Sequence, residues 1–389
     1  MVVRDNAYNM QTAMRCGNFL SIGCVAHTLQ LVIHDVIFKD AASMNLIKKC
    51  RKVVGHFKRS EQASRYLERF QETCGLLRHV LIQDIETRWN STYLMLERLL
   101  EQKTAINLYM AERGGIEVPT AEEWEQINYY IAILRCFYQA TLDISSDSSS
   151  ISLIIPLIVM LNSKMTTKDE DPEKVILLKI QLRNSIHRRF SYLKNTPHLM
   201  IATLIDPRFK SKYFTNDETE NTKTEILSFL RQTGSRSRSA AIMDVDVDEP
   251  RPSCSNSDPA TEGVFTKKKD DDLWDSHDNL ASSVTITSEN ELGLDHPGPP
   301  FQEHLTCFLK EPLLLRNADI YEYWSSSPYT YLRPIAIKYL SAPPSSVPSE
   351  QLFCAAGRIY ADRRSNLIGE NVDKLLFLAY NIRLFNFDY

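Results

Sequence analysis

YLSAPPSSVPSEQLFCAAGRIYADRRSNLIGENVDKLLFLAYN, residues 339–381, carries more structural information than any other stretch of this 389-residue chain. Ser345 and Ser346 precede Pro348, a residue suited to a helix's first turn, and Glu350 follows where a negative charge meets free N–H groups. The spacing predicts a helix over 348–360 with Leu352, Phe353, Ala356 and Ile359 as its buried stripe. In a second helix, over 370–385, Val372, Leu375, Leu376, Ala379 and Ile382 share an apolar face wide enough for a core or a partner. Just upstream, Tyr321, Tyr323 and Trp324 are aromatic anchors of the kind found at interface centres. The stretch from Ile320 to Phe387 is therefore expected to self-associate while completing the core of the N-terminal part.

Toward the N-terminus, four shorter motifs each admit two readings. In ATLIDPRFK, residues 202–210, Asp206-Pro207 is a turn signal, and the basic residues after it suit either DNA contact or a connector whose Phe209 is core. DIETRWNSTYLMLERLL, residues 84–100, sets Arg88 and Trp89 before Asn90 and Ser91, which are good helix N-caps. That Trp can stack on an extruded base while the Arg meets phosphate, or it can staple the helix start. GCVAHTLQLVIHDVI brings Cys24, His27 and His34 near one helix side, one short of the usual four zinc ligands, so a packing role is the simpler reading. VVRDNAYNM reads as a short strand ending in Asp5, either a metal ligand at a sheet edge or a cap for the next helix.

Between these motifs the period is mostly helical, with stretches expected near 43–57, 61–72, 120–142, 150–165, 174–193 and 221–232, and few strand signals beyond Val2, Val3 and Phe19–Ile22. Residues 234–300 shift to Ser, Asp, Asn and Pro and read as a disordered linker. That segment holds 14 acidic and 6 basic side chains, so of the total charge of -4 the remainder carries +4, compatible with a polyanionic partner. No apolar run approaches the ~18 residues of a membrane span, and the first residues lack a signal peptide's apolar core. The eight cysteines show no CxxC spacing, which points to free thiols in a reducing compartment.

Taken in order, DNAYNM, CVAHTLQLV, DIETRWNSTYLMLERL, ATLIDPRFK, and YLSAPPSSVPSEQLFCAAGRIYADRRSNL with ENVDKLLFLAYN resemble a transposase of the hAT superfamily, or a domesticated BED-finger protein derived from one. The resemblance implies an RNase H-like fold split by a large helical insertion, an upstream BED zinc finger and a C-terminal dimerisation region. It also implies two Asp and one Glu holding two divalent metals for strand cleavage and transfer. Asp5 falls at the second Asp and Glu350 at the Glu, Trp89 at the insertion-domain Trp, and Cys24 and His27 at a chiefly structural Cys-x-x-His element. Four residues precede Asp5, so the first Asp and the finger are expected to be missing from this chain. Gln351 and Cys354 stand where the family usually has Arg and often has Ser.

The expected fold is mostly α, with a partial RNase H-like α/β core interrupted by a helical insertion and followed by a long disordered linker. The expected divisions are residues 1–40 for the core remnant, 41–233 for the insertion, 234–300 for the linker and 301–389 for the dimerisation region that completes the core. The expected function is that of a catalytically incomplete transposase-derived nuclear protein. It would dimerise through Trp324, Val372, Leu375, Leu376, Ala379 and Ile382, meet DNA through Arg88 and Trp89, and take part in transcription regulation. The rivals are a piece of an active transposase, which alone would need Mg²⁺ or Mn²⁺, and a protein scaffold without DNA contact. No metal site, other cofactor, membrane or small-molecule substrate is expected.

Overall fold

The computed structural model describes residues 2–146, 148–237, 272–282, 300–359 and 369–382. Two strands, β1 (Val2–Arg4) and β2 (Ser21–Gly23), flank helix α1 (Tyr8–Cys16) and pair in parallel, Val2 opposite Ser21 and Arg4 opposite Gly23. A Cβ at Gly23 would overlap the Asn6 side chain, whose amide donates to Thr28 Oγ1 at 2.9 Å and pins the strand pair to the second helix. That helix, α2 (Val25–Ile33), buries Val25, Leu29, Val32 and Ile33 and runs on into a π-helical turn at His34–Phe38.

Three of the helices after this turn, α3, α4 and α7, begin where a side chain satisfies free N–H groups. Asp40 caps α3 (Ala41–Arg59) by accepting from Ser43 N, and Ser60 caps α4 (Glu61–Thr73). After α5 (Trp89–Glu101) and α6 (Lys103–Arg113), Thr120 and Glu123 form a reciprocal capping box at the start of the long α7 (Ala121–Ser145). α5 packs along α7, with Trp124, Ile127 and Phe137 in the core. α8 (Ile154–Lys164), α9 (Glu173–Phe190) and α10 (Pro197–Ile205) complete this run.

The chain divides into two compact units, Met1–Thr203 with Ile337–Tyr389, and Leu204–Ala336. These limits differ from the expected ones, because the C-terminal region is shared out. In the first unit, after α15 (Arg333–Leu340), the backbone closes onto the N-terminal elements: Ala342 O accepts from Ile151 N at 2.9 Å, and Pro344 O from Val25 N at 3.2 Å. Ser345 Oγ adds a 2.9 Å bond to Ile144 O. Residues 342–345 are thus bonded to the N-terminal elements, and α16 (Val347–Ile359) and α17 (Gly369–Asn381) come after them.

The second unit contains α11 (Asn216–Ser237), α12 (Asp275–Ser282), α13 (Pro300–Lys310) and α14 (Ile320–Ser326). Its centre is the DPRFK turn. Phe209 is fully buried, as the connector reading expects, and the Arg208 guanidinium grips the buried Asp206 carboxylate at 2.8 and 3.0 Å. Lys210, at φ 49°, sends its ammonium to the carbonyls of Phe308, Glu311 and Pro312. Burial pushes its pKa down to about 8, which still leaves it protonated at neutral pH to serve those acceptors. Here the linker expectation needs correction. Residues 272–282 sit inside it, yet Leu273, Trp274 and His277 are buried, with Trp274 stacked on Phe209 and Tyr213 Oη 2.7 Å from His277 Nδ1. Residues 238–271 and 283–299 of that segment lie outside the described residues.

Candidate functional site

In the first unit a groove of about 860 Å³ gathers five of the residues singled out by sequence, Cys24, His27, Arg88, Trp89 and Glu350. Its floor is the cap and first two turns of α2, with Cys24, His27 and Gln30; one wall is the start of α5, with Arg88, Trp89 and Asn90; the other is α16, with Glu350, Cys354 and Arg358. Tyr138 and Ser145 of α7 close it, and Tyr138 stacks on Tyr93 with ring centroids 4.9 Å apart.

A chain of buried polar contacts sets the wall that carries Arg88. The Asp84 carboxylate, fully buried, takes three hydrogen bonds of 2.7 to 3.0 Å from the Arg51 guanidinium and one of 2.8 Å from Thr92 Oγ1. Burial opposes its ionisation, but Arg51 and Thr92 overcome this and hold the carboxyl below its ordinary range. Ser91, expected as a cap, lies instead in the first turn of α5: its hydroxyl accepts from Ile85 N and donates to Arg88 O. Gln30 Nε2 donates to Thr87 O at 2.8 Å and ties the same loop to α2. The result is an exposed Arg88 on a fixed backbone, with no ion pair among the described residues.

Trp89 departs from the base-stacking expectation. It is 5% exposed, so little of its ring is left to meet a ligand. Cys24 is buried and its Sγ accepts from Ser346 N at 3.3 Å, in keeping with a structural role; His27 is exposed to the groove rather than packed in the core. Glu350 is exposed in the first turn of α16, where one of its carboxylate oxygens accepts from Ser346 Oγ at 3.0 Å. Asp5 does not line the groove, and its carboxylate accepts from the backbone N–H of Ala7 at the start of α1. Asp5 and Glu350 are thus each engaged near a helix start. Among the described residues no group of three or more His, Cys, Asp or Glu is placed to hold a metal ion, so this set does not fit the two-metal site implied by the resemblance.

The dimerisation residues also sort differently from expectation. Trp324 is buried in the second unit, 5.3 Å from Phe308 between ring centroids, and Val372 of α17 is buried too, so both are covered within one chain. Leu375 and Ala379 are exposed, and Leu376 and Ile382 partly so. Of the stripe expected to be buried on α16, Leu352 and Phe353 are instead exposed, Phe353 at 74%, and Ala356 is partly so, while the Ile359 side chain lies outside the described residues; Phe377 on α17 is 63% exposed. Arg358, a groove cation absent from the sequence-derived candidates, was marked only by its place in the Ala-Gly-Arg run.

Apolar side chains are thus left open on α16 and α17. Residues 22–132 match the ZBED1 RNase-like helical domain, and residues 304–382 match the hAT family C-terminal dimerisation region. The whole chain aligns at 28% identity with 31% of Zinc finger BED domain-containing protein 4 of Homo sapiens, and at 26% with 40% of Zinc finger BED domain-containing protein 6 of Mus musculus. A Putative AC transposase of Zea mays is 26% identical over 92% of this chain and 44% of its own length. The chain is a homologue of BED zinc-finger proteins and hAT transposases, and it carries the hAT dimerisation region. It spans 31% to 44% of the length of these relatives.

Proposed function

We propose that this chain is a transposase-derived protein that pairs with a second copy of itself through α16 and α17, contacts DNA through the groove in the nucleus, and acts in transcription regulation rather than in strand cleavage. The observation that carries this reading is the exposure of Phe353, Leu375, Phe377 and Leu378 inside the residues matched to a dimerisation region. Around α17, at about 100° per residue, Phe377 lies about 140° from Val372 and about 100° from Leu376, so the helix is apolar on more than one side. The side left exposed is the one a second copy would cover. Exposed Arg88 and Arg358 outnumber Glu350 in the groove, which favours a phosphate-bearing ligand. Parallel β1 and β2 followed by α2 are compatible with one edge of an RNase H-like sheet.

Against cleavage by this chain stand the separate engagements of Asp5 and Glu350. The second reading, a portion of an active transposase, is favoured by the alignment with the maize protein and would bring a requirement for Mg²⁺ or Mn²⁺. The pairing is tested by co-expressing two differently tagged copies. Wild-type chains should co-purify, and chains carrying both Phe353→Asp and Phe377→Asp should not. Equal recovery of the doubly substituted copies would overturn the reading.

A further inference from the structure

Away from the groove, the π-helical turn that ends α2 meets α9. π-Turns are uncommon and often mark functional positions. This one, closed by Lys39 N bonding to His34 O at 3.0 Å, holds Asp35, on which three cations converge. Lys39 Nζ lies 2.7 Å from Oδ1, while Arg188 NH2 and Arg189 NH2 each lie 2.6 Å from Oδ2. Ser185 Oγ adds a fourth donor at 3.3 Å to Oδ2.

A clamp between the two elements needs one of these cations. Arg189 supplies it, because its Nε at 2.8 Å and its NH2 both reach Oδ2 and its side chain is mostly covered. Lys39 and Arg188 are 62% and 66% exposed, whereas the Asp35 side chain they share is 8% exposed. Lys39 brings three N–H donors and Arg188 five, of which each spends only one on Asp35. Together with Asp35 and Arg189 the set sums to +2. Counting Asp40, which also lines the adjoining cavity but spends its carboxylate capping α3 through Ser43, it remains at +1. That cavity, about 430 Å³, is floored by further donors, the amides of Gln181 and Asn184. Donors in excess around one neutralised carboxylate suit an oxyanion with several acceptor oxygens, and guanidinium beside ammonium suits phosphate in particular.

We infer that Lys39 and Arg188, held in place by Asp35 and Arg189, form a second phosphate-binding site that takes the backbone of duplex DNA. The inference rests on the DNA-contact reading above and adds a contact surface on the α2–α9 side of the first unit. It assigns Asp35 a positioning role, since a carboxylate beside a phosphate would otherwise repel it.

The test measures binding of random-sequence duplex DNA to the full chain by fluorescence anisotropy over a range of salt concentrations. Each phosphate contact contributes about 0.9 to the slope of log K against log salt. Replacing both Lys39→Gln and Arg188→Gln, with Arg189 retained, should make the slope shallower by about 1.8 and leave the melting temperature of the chain in place. A second pair, Arg88→Ala with Arg358→Ala, probes the groove independently. An unchanged slope in the Lys39/Arg188 variant, beside a loss in the groove variant, would overturn this inference and leave the DNA reading standing. Wild-type chain that shows no salt-dependent binding would remove the DNA reading and the inference with it. A parallel arm uses inorganic phosphate: thermal stabilisation that the Lys39/Arg188 variant lacks, together with an unchanged DNA slope, would reassign the cluster to free phosphate and overturn the duplex assignment.

Discussion

Replacing Arg51 with Met should destabilise the first unit by about 3–5 kcal/mol at neutral pH, the cost of leaving a buried carboxylate without its partner. The Asp84 side chain has no exposed surface, and three of its four short contacts with Arg51 and Thr92 come from the guanidinium. Arg51 is itself mostly covered, so solvent screening does little to weaken the pair. The pH dependence gives the test its edge. With Arg51 present the folded-state pKa of Asp84 lies below the unfolded value, so its contribution is present above the unfolded pKa and is lost as pH falls through the folded one. Without Arg51, burial prevails and the folded pKa rises above the unfolded value, so protonation on acidification relieves the penalty. The gap between wild type and Arg51→Met should therefore narrow as pH drops from 7 toward 4. Urea unfolding followed by tryptophan fluorescence reads both quantities, and adding Asp84→Asn to Arg51→Met should recover part of the loss. A loss below about 1 kcal/mol, or one that stays constant with pH, would refute the reasoning.

Trp274→Ala should cost the second unit about 3–5 kcal/mol, as expected for an emptied aromatic site, and shift its urea midpoint; no shift would show that residues 272–282 do not anchor there. Supercoiled plasmid incubated with the chain and Mg²⁺ or Mn²⁺ should remain intact, whereas nicking that Glu350→Ala or Asp5→Ala abolishes would contradict the non-catalytic reading. Iodoacetamide labelling read by mass spectrometry should modify exposed Cys16, Cys307 and Cys354 quickly and spare Cys50, whose thiol burial pushes up to about 12. Rapid labelling of Cys50 in the folded chain would show that its surroundings open.

The helices were legible because their apolar period repeats over several turns: the stretches expected at 43–57, 61–72 and 120–142 appear as α3, α4 and α7. The α12 anchor was not. Leu273, Trp274 and His277 are three residues in an acidic, Ser-rich segment, and an average over 67 positions hides them. The chemistry of the groove was marked at Cys24, His27, Arg88 and Glu350, but their convergence was not, since three separate elements meet only through tertiary packing. Tyr138 and Ser145 carry no local signal, because α7 contributes them from a helix that otherwise reads as core. Trp89 is buried and Phe353 is open, and neither outcome could be read from the sequence, for one reason. Periodicity says which residues share a face, not whether the chain or a second copy covers it. The π-turn at Asp35 leaves no trace in an apolar pattern, and two of the three cations facing it, Arg188 and Arg189, come from about 150 residues further along.

Sedimentation velocity of the full chain, run across concentrations from nanomolar to tens of micromolar, tests pairing through α16 and α17 most directly. The wild-type chain should pass from monomer to dimer within that range, and Phe353→Asp with Phe377→Asp should hold it at the monomer without lowering its melting temperature. A wild-type chain that stays monomeric throughout, or a dimer indifferent to both substitutions, would contradict the account.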